Sequence, residues 1–444
     1  MPTDILCPAV FLAAPASGQG KTTITAAIAR YHRLQGREVR IFKMGPDYLD
    51  PQILEQASGH PVAQLDLWMA GEAYCRDQFY RAAQTADLIL VEGAMGMFDG
   101  DPSSADLART FDIPIVLVMD VKGMAQTAAA LACGLANYRD DVAVTGLIAN
   151  HCASERHRQL IADALPASLP LLASFANTPT IRLPERHLGL VQACEVREEL
   201  ETCFNAAAEL VGASSLANLP PPVRFSAQSI APPPRLLAGV KIAIAQDEAF
   251  SFIYPANTQL LTAMGADLQF FSPIHDTKLP EVDALWLPGG YPELHAHALA
   301  ANTAMHGEIQ QFYASGKGIL AECGGFMYCL ESLKDLAGTR HSMLGLLAGH
   351  AAMRGRGGCQ GMQSAVLPEG ELRAHAHHRS QSENTPEPIG YGRRPKHPAP
   401  GESIYRQRGL TASYLHLFFP SAPEVIAKVF LPHTQVKDAD RVRD

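Results

Sequence analysis

A chain of 444 residues and 47.8 kDa is too long for one hydrophobic core, so two domains are expected. Hydrophobic residues at 47%, charged residues at 18% and a mean hydropathy of -0.01 describe an ordinary globular protein. The formal charge of -9 lacks the basic footprint of a nucleic-acid binder, and no apolar run has the length of a membrane span. Neither nucleic acid nor membrane is therefore an expected partner. The N-terminus has no basic region followed by an apolar core, and nine scattered cysteines fit reduced thiols, so a cytoplasmic location is expected. No CxxC pair occurs, which argues against a structural zinc site.

Ala9 to Ala14 is an apolar run with strand character, followed at once by Pro15-Ala-Ser-Gly-Gln-Gly-Lys-Thr-Thr23 and helical periodicity from Thr22 to Leu34. Strand, glycine-rich turn and helix make a phosphate-binding loop. Backbone N–H groups at the helix N-terminus cradle phosphate oxygens, Lys21 supplies a cation and the Thr22 hydroxyl reaches Mg²⁺. Gly18 and Gly20 allow the close backbone approach, although Pro15 stands where the strict pattern has glycine.

A second strand, Val39 to Lys43, ends in Met44-Gly-Pro-Asp-Tyr-Leu-Asp-Pro51. Ligands of doubly wound sheets bind outside the carboxyl ends of strands, which makes Lys43, Asp47, Tyr48 and Asp50 candidates for nucleotide or substrate. The competing expectation is that the aspartates cap the next helix. A third strand, Asp87 to Val91, runs into Glu92-Gly-Ala-Met-Gly-Met-Phe-Asp-Gly100. Glu92 falls where a Mg²⁺ ligand is expected opposite the phosphate loop. Asp99 either shares that site or is a solvated loop acid. Further strands at Ile113 to Met119 and Val144 to Ala149 end at Asp120 and Asn150, and the Asn150 amide could hydrogen-bond a base. Near-continuous apolar strands alternating with helices imply a parallel sheet covered on both faces.

From 213 to 238 the chain turns proline-rich and loses periodicity, which reads as a linker between domains at 1–212 and 239–444. A second α/β pattern opens at Val240 to Ala245. Asp283-Ala-Leu-Trp-Leu-Pro-Gly-Gly-Tyr-Pro-Glu293 is a strand ending in a turn whose Gly289 and Gly290 could offer backbone donors. Gly318-Ile-Leu-Ala-Glu-Cys-Gly-Gly-Phe-Met-Tyr328 then reads as strand, sharp turn and helix, a nucleophile elbow around Cys323. Gly324 and Gly325 permit the turn and leave N–H groups for an oxyanion, and the helix N-terminus is expected to lower the thiol pKa. The alternative is a buried structural cysteine. His375, His377 and His378 fall in a polar, loop-like segment, and 379–401 reads as a loop or insertion. His416, in Ala412-Ser-Tyr-Leu-His-Leu-Phe-Phe419, is a polar residue in a short strand, either a base for the thiol or a satisfied core histidine.

Seven of these stretches, in this order, resemble the cobyrinate (hydrogenobyrinate) a,c-diamide synthase family over nearly the whole chain. They are 16–23, 43–51, 92–100, Pro-Glu-Arg-His-Leu-Gly-Leu at 184–190, Leu-Pro-Gly-Gly-Tyr-Pro-Glu-Leu-His-Ala, Ala-Glu-Cys-Gly-Gly-Phe-Met-Tyr and Ala-Ser-Tyr-Leu-His. The resemblance implies two doubly wound α/β domains: an N-terminal P-loop synthetase like dethiobiotin synthetase and a C-terminal class I-like glutamine amidotransferase. It implies ATP, Mg²⁺ and glutamine, with two carboxylates of a corrinoid dicarboxylate amidated through phosphorylated intermediates in cobalamin biosynthesis. It further implies Cys323 as nucleophile activated by His416, and Gly18, Gly20, Lys21 and Thr22 on the ATP phosphates. Asp47, Asp50, Glu92 and Asp99, with Tyr48 beside them, form the Mg²⁺, ATP and corrinoid group; Thr22 and Glu92 are the metal ligands, and Gly290 and Gly324 face the oxyanion.

Two departures stand out. Phe418 occupies the position two after the histidine where class I enzymes often carry glutamate, so a dyad is expected. Leu372 to Ser380 matches the family's histidine segment only loosely. A nickel-sirohydrochlorin a,c-diamide synthase and a cobyric acid synthase are the neighbouring enzyme alternatives. A partition-type ATPase or regulatory module is the non-enzyme alternative, disfavoured by the Cys323 elbow. The oligomer, a homodimer included, is left open.

Overall fold

The structure is a computed structural model that describes residues 4–186, 189–190, 196–228, 230–354 and 358–431. It divides into two compact units between Ile230 and Ala231. His187 and Leu188 of the motif at 184–190 lie outside the described residues.

The first unit runs β1 (Ile5–Ala13), α1 (Lys21–Leu34), β2 (Val39–Met44), α2 (Leu49–Ser58), β3 (Ala63–Leu65), α3 (Glu72–Ala83), β4 (Leu88–Glu92), α4 (Ser104–Thr110), β5 (Ile115–Asp120), α5 (Gln126–Ala136), β6 (Val144–Asn150), α6 (Glu155–Ala164) and β7 (Leu171–Ser174). A short pair, β8 (Glu185–Arg186) and β9 (Gly189–Leu190), then leads to α7 (Arg197–Gly212) and β10 (Pro222–Phe225). Strands β3-β2-β4-β1-β5-β6-β7 form a parallel sheet in that order. Both faces of such a sheet must be covered, and alternate residues of β1 serve opposite faces. Phe11 joins a cluster with Phe42, Phe79 and Phe111, while Leu12 joins Ile24, Ile41 and Phe204. The carboxyl ends of β1, β2, β4, β5 and β6 therefore share one edge, where the phosphate loop and its acids emerge.

The expected linker at 213–238 is in part built into this unit. Within it β10 pairs antiparallel with β1, and Phe225 stacks on Phe79 with centroids 5.4 Å apart. Val223 and Phe225 are buried while Pro222 and Arg224 are exposed. This two-residue period of an edge strand is hard to see among prolines.

The second unit runs β11 (Lys241–Ala245), α8 (Pro255–Ala263), β12 (Asp267–Phe271), β13 (Ala284–Leu287), α9 (Ala296–Ala301), α10 (Thr303–Ala314), β14 (Gly318–Glu322), α11 (Gly324–Cys329), β15 (Ser332–Lys334), β16 (Arg340–Ser342) and β17 (His350–Met353). It continues through β18 (Cys359–Leu367), β19 (Gly370–His378), β20 (Ser380–Glu383), β21 (Gly390–Tyr391), β22 (Ser403–Gln407), β23 (Leu410–Ser413), β24 (Leu415–Leu417) and α12 (Pro423–Phe430). The main sheet has the order β12-β11-β13-β14-β23-β22-β21; its first five strands are mutually parallel, and the pairings β23–β22 and β22–β21 are antiparallel. Smaller sheets, β16-β15-β17-β20 and β18-β19-β24, complete the unit.

The segment read as loop around His375 to His378 is strand β19, and 379–401 contains β20 and β21. Leu372, Ala374 and Ala376 bury at two-residue spacing, so small apolar residues between the histidines carry the strand. The eight cysteines among the described residues are free thiols. No described helix is long and apolar enough to cross a membrane.

Phe79 packs edge-on against Phe42 and Phe111 and stacks on Phe225, with no solvent exposure. Phe79→Ala is expected to destabilise the first unit by about 3–5 kcal/mol, read as a lowered urea midpoint.

Candidate functional site

The first candidate site is at the carboxyl edge of the β3-to-β7 sheet. Gly18 and Gly20 have φ of 75° and 88°, and Gly20 is the N-cap of α1 with no side-chain cap, so the first-turn N–H groups are left for a ligand. A Cβ on Gly20 would come within 2.2 Å of Asn150 Nδ2. Asn150 spends that amide on Gln19 O at 3.0 Å and its carbonyl on His151 N, while Gln19 Oε1 accepts the Asp120 N–H at 2.9 Å. Asn150, read as a base-binding candidate, thus holds the phosphate loop in place. Lys21 Nζ donates to Met95 O at 2.9 Å and Ala16 O at 3.4 Å. Burial lowers its pKa, and nearby Lys43 adds to the effect.

Lys43 and Glu92 are direct partners in the parallel register of β2 and β4. Lys43 Nζ lies 2.5 Å from Glu92 Oε1, pairs with Asp50, and stands 3.6 Å from Asp47 Oδ2. Burial opposes its charge, but Glu92, Asp50 and Asp47 hold the ammonium well above its usual value. Burial raises Glu92 and Asp47, whereas Lys43 overcomes burial at Asp50 and lowers it. The capping expectation for Asp47 holds: Oδ1 accepts the Leu49 and Asp50 N–H groups at the start of α2, while Oδ2 faces Lys43. Tyr48 is buried at the N-cap of α2.

Thr22 Oγ1 donates to Glu92 Oε1 at 3.0 Å, while Glu92 Oε2 has no hydrogen-bond partner among the described residues. A hydroxyl and an orphaned carboxylate oxygen, with Asp47 and Asp50 close by, are the hard oxygen donors that suit Mg²⁺. Asp99 turns back to accept the Gly96 N–H at 3.1 Å, and Gly96 packs on the Pro15 carbonyl. It stands beside the phosphate loop and is not among the acids paired to Lys43.

The second candidate site is at the end of β14. Cys323 has φ 45°, a left-handed conformation that costs a side-chain-bearing residue about 1–3 kcal/mol. Its N–H is held by Ser413 O at 2.8 Å. The Gly325 N–H goes to Pro288 O at 3.0 Å, which removes it from the expected oxyanion donors. Gly324 and Gly290 do come together: a Cβ on Gly324 would stand 2.9 Å from Gly290 N, and one on Gly290 would be 2.0 Å from Ala249 O. Only glycine fits either place. The neighbouring Gly289 lies against His416, its added Cβ falling 2.2 Å from Cε1. One glycine turn thus touches both the elbow and the histidine.

The expected lowering of the Cys323 pKa is not found. Burial raises it, with Glu293, Glu322 and Glu402 adding, against the Gly324 N–H that lowers it. The helix that follows has six residues, too few to offset a fully desolvated sulfur. Sγ lies 3.9 Å from His377 O. His416 is buried in β24, opposite His375, and burial, followed by the three histidines of β19, keeps its imidazole well below the usual value.

Two acids escaped the motif reading. Glu293 is buried and raised to about 7 by burial, with Oε2 lacking a hydrogen-bond partner. Glu322 is 2% exposed; Oε2 accepts Trp286 Nε1 at 2.8 Å, and Oε1 accepts the N–H of Leu417 at 2.7 Å. Leu417 follows His416 and Glu322 precedes Cys323, so this carboxylate ties the thiol's strand to the histidine's. An acid directly after the apolar run Ile319 to Ala321, still within the strand, was the available signal.

Glu322→Gln presents an amide donor to one of those two N–H groups, costing about 1–3 kcal/mol. Burial pushes the Glu322 carboxyl from 4.5 up to about 8, so the unfolded chain loses the proton first as pH rises. Wild-type stability is expected to fall as pH climbs from about 4.5 to about 8. That component of the slope vanishes in E322Q, a difference checked by urea midpoints across the window.

Comparison with known proteins places both units. Residues 10–191 match the CobQ/CobB/MinD/ParA nucleotide binding domain, and 241–424 match the CobB/CobQ-like glutamine amidotransferase domain. A hydrogenobyrinate a,c-diamide synthase of Pseudomonas aeruginosa is 48% identical over 438 residues, 99% of this chain and 100% of the relative. One from Stutzerimonas stutzeri is 49% identical over 429 residues, covering 96% and 99%. A cobyrinate a,c-diamide synthase of Herminiimonas arsenicoxydans is 44% identical over 426 residues, covering 95% and 96%. With an α/β nucleotide-binding unit, an α/β amidotransferase unit and end-to-end relatives near half identity, the chain belongs to the cobyrinate/hydrogenobyrinate a,c-diamide synthase family.

Proposed function

We propose that the protein uses ATP and glutamine to convert the a and c carboxylates of a cobyrinate-type ring into amides, with hydrogenobyrinate, the metal-free ring, as the preferred substrate. The two relatives at 48% and 49% identity carry that name. The observation that carries the proposal is the presence in one chain of a phosphate loop beside a Lys43-centred acid cluster and of a strained cysteine elbow beside a buried histidine.

At the first site, Gly18, Gly20, Lys21 and Thr22 bind the ATP phosphates, with the uncapped start of α1 facing them. Thr22 and Glu92 would hold Mg²⁺, which neutralises phosphate charge when bound. A substrate carboxylate oxygen attacks the γ-phosphorus, ADP leaves, and the acyl phosphate now has a leaving group. Ammonia then attacks the carbonyl carbon and phosphate departs, leaving the amide. Asp47, Tyr48, Asp50 and Asp99 surround this chemistry, the first three by positioning substrate or nucleotide next to Lys43, and Asp99 from the loop side.

At the second site, Cys323 Sγ attacks the side-chain amide of glutamine as its proton passes to His416, which burial keeps neutral and so able to accept it. The tetrahedral oxyanion is placed against the Gly290 and Gly324 backbone. Ammonia leaves, and water hydrolyses the thioester to glutamate. With Phe418 where a third member would stand, Glu322 acts as a positioning residue for both strands.

Purified protein is expected to form the diamide from hydrogenobyrinate and ATP with either glutamine or ammonia, identified by chromatography and mass spectrometry. Cys323→Ala abolishes the glutamine-dependent reaction and keeps the ammonia-dependent one. No diamide from either hydrogenobyrinate or cobyrinate overturns the proposal, and loss of the ammonia-dependent reaction in folded C323A overturns the division of labour.

A further inference from the structure

Away from both motifs, three side chains of different ligand chemistry converge at one wall of the second unit. Cys359 and His378 are directly opposite across the antiparallel pair β18–β19, and Glu402 lies just before β22. One ligand atom from each, a sulfur, an imidazole nitrogen and a carboxylate oxygen, all lie within 4.8 Å of one another. We propose that Cys359, His378 and Glu402 bind a divalent transition metal of the zinc class.

The histidine is prepared for this. Nδ1 stands 3.1 Å from Ser380 O, and a carbonyl only accepts, so Nδ1 carries a proton; in the neutral ring this leaves the Nε2 lone pair for a ligand. A backbone carbonyl behind a ligating imidazole is the usual arrangement at metal centres, because it sets tautomer and ring direction. The ring is further clamped by stacking on Tyr414, at 4.0 Å between centroids and 7° between planes. Its side chain is only 8% exposed, and Nε2 faces Glu402 Oε2 at 3.3 Å without a hydrogen bond of normal geometry among the described residues. At that distance the two atoms are held either by a proton on Nε2, as an ion pair, or by a metal cation between them, and the metal is the reading proposed.

Tetrahedral metal–ligand lengths of about 2.0–2.3 Å leave ligand atoms roughly 3–4 Å apart, a spacing the His378–Glu402 pair already has. Arg394 Nη2 and Gln363 Nε2 each point at Cys359 Sγ from 3.7 Å, which suits a sulfur acceptor; burial and the nearby Glu402 push the thiol up to about 11, so metal binding would have to displace its proton. The adjoining cavity, about 440 Å³ and lined also by Ser380, Ser382 and Tyr405, leaves room for a water as fourth ligand. A thiolate–imidazole–carboxylate set selects zinc or cobalt over Mg²⁺, so this site is distinct in kind from the oxygen site at Glu92. The ion would pin β18, β19 and the approach to β22 next to His377, whose carbonyl faces Cys323 Sγ. The ligands come from three separate stretches, which is why the absence of CxxC did not bear on them.

The test uses the full chain, stripped with a chelator and titrated with Zn²⁺ and Co²⁺ by equilibrium dialysis and absorption. Wild type is expected to take up one tight equivalent, and its Co²⁺ form to show a thiolate-to-cobalt charge-transfer band. Cys359→Ser abolishes the band and Cys323→Ser retains it. C359S and His378→Gln each weaken Zn²⁺ binding by on the order of 100-fold, with circular dichroism confirming the fold and Glu402→Gln as a further, milder variant. No tight equivalent in wild type overturns the site and leaves a His378–Glu402 ion pair. Binding unchanged in C359S and H378Q overturns it as adventitious uptake elsewhere.

Discussion

A carboxylate with no solvent exposure survives at the end of β4 only because an ammonium from the neighbouring strand reaches it. Glu92 and Lys43 are fixed opposite each other by the register of β2 and β4, before any side chain chooses a rotamer. Desolvating each charge costs several kcal/mol, and breaking such a pair leaves a loss of about 3–5 kcal/mol, comparable to much of a domain's stability. The remaining parts of the site attach to this pair. Asp50 and Asp47 take further sides of the ammonium, Thr22 hydrogen-bonds the same carboxylate oxygen, and Lys21 is directed to the carbonyl of Met95. The cluster has three acids around Lys43, with Lys21 a second cation close enough to feel Glu92 and Asp50, and the remaining negative charge suits a divalent ion. On the proposed reading the phosphates fall to the α1 N-terminus and Lys21.

The second unit buries an acid by the opposite method. Glu322 has no lysine or arginine partner in its hydrogen bonds; it relies on an indole N–H from β13 and a backbone N–H from β24. Neutral donors stabilise a carboxylate less than an ammonium does, so its carboxyl rises to about 8 where Asp50, beside Lys43, falls. The exchange yields geometry. Three strands are locked by one residue adjacent to the nucleophile, and the link runs to the peptide after His416. A glutamate two residues beyond the histidine would orient the ring directly. Here Phe418 fills that place, and the constraint on His416 comes through its backbone and the β19 histidines packed beside it.

Much of this was legible from residue order. Strand–turn–helix signals located the phosphate loop and the elbow because both need glycines at fixed offsets from an apolar run, and backbone geometry follows from those offsets. The acids after β2 and β4 were legible because parallel strands deliver their carboxyl ends to one edge. What could not be read was anything set by long-range partners. The hold of Asn150 on Gln19 went unread because it depends on the pairing of β5 with β6. The histidines of β19 passed for loop because alanines, which signal strand weakly, carried the alternation. The edge strand β10 was masked by prolines, and Glu322 hid inside the motif that advertised Cys323.

The sharpest disagreement, over the thiol, concerns the balance between a local and a distributed effect. A helix N-terminus contributes a partial charge near one end, worth about 0.3–1 kcal/mol when exposed. Complete desolvation, with Glu293, Glu322 and Glu402 around it, outweighs that and favours the neutral thiol. The same burial holds His416 neutral. Both shifts disfavour a thiolate–imidazolium pair, and the thiolate is the form that oxidants attack. An elbow with a permanently depressed pKa would expose a reactive sulfur in every idle interval. On the proposed glutaminase reading, burial would hold the proton on this sulfur until a bound amide presents a carbonyl to it and the Gly290–Gly324 backbone takes up the charge.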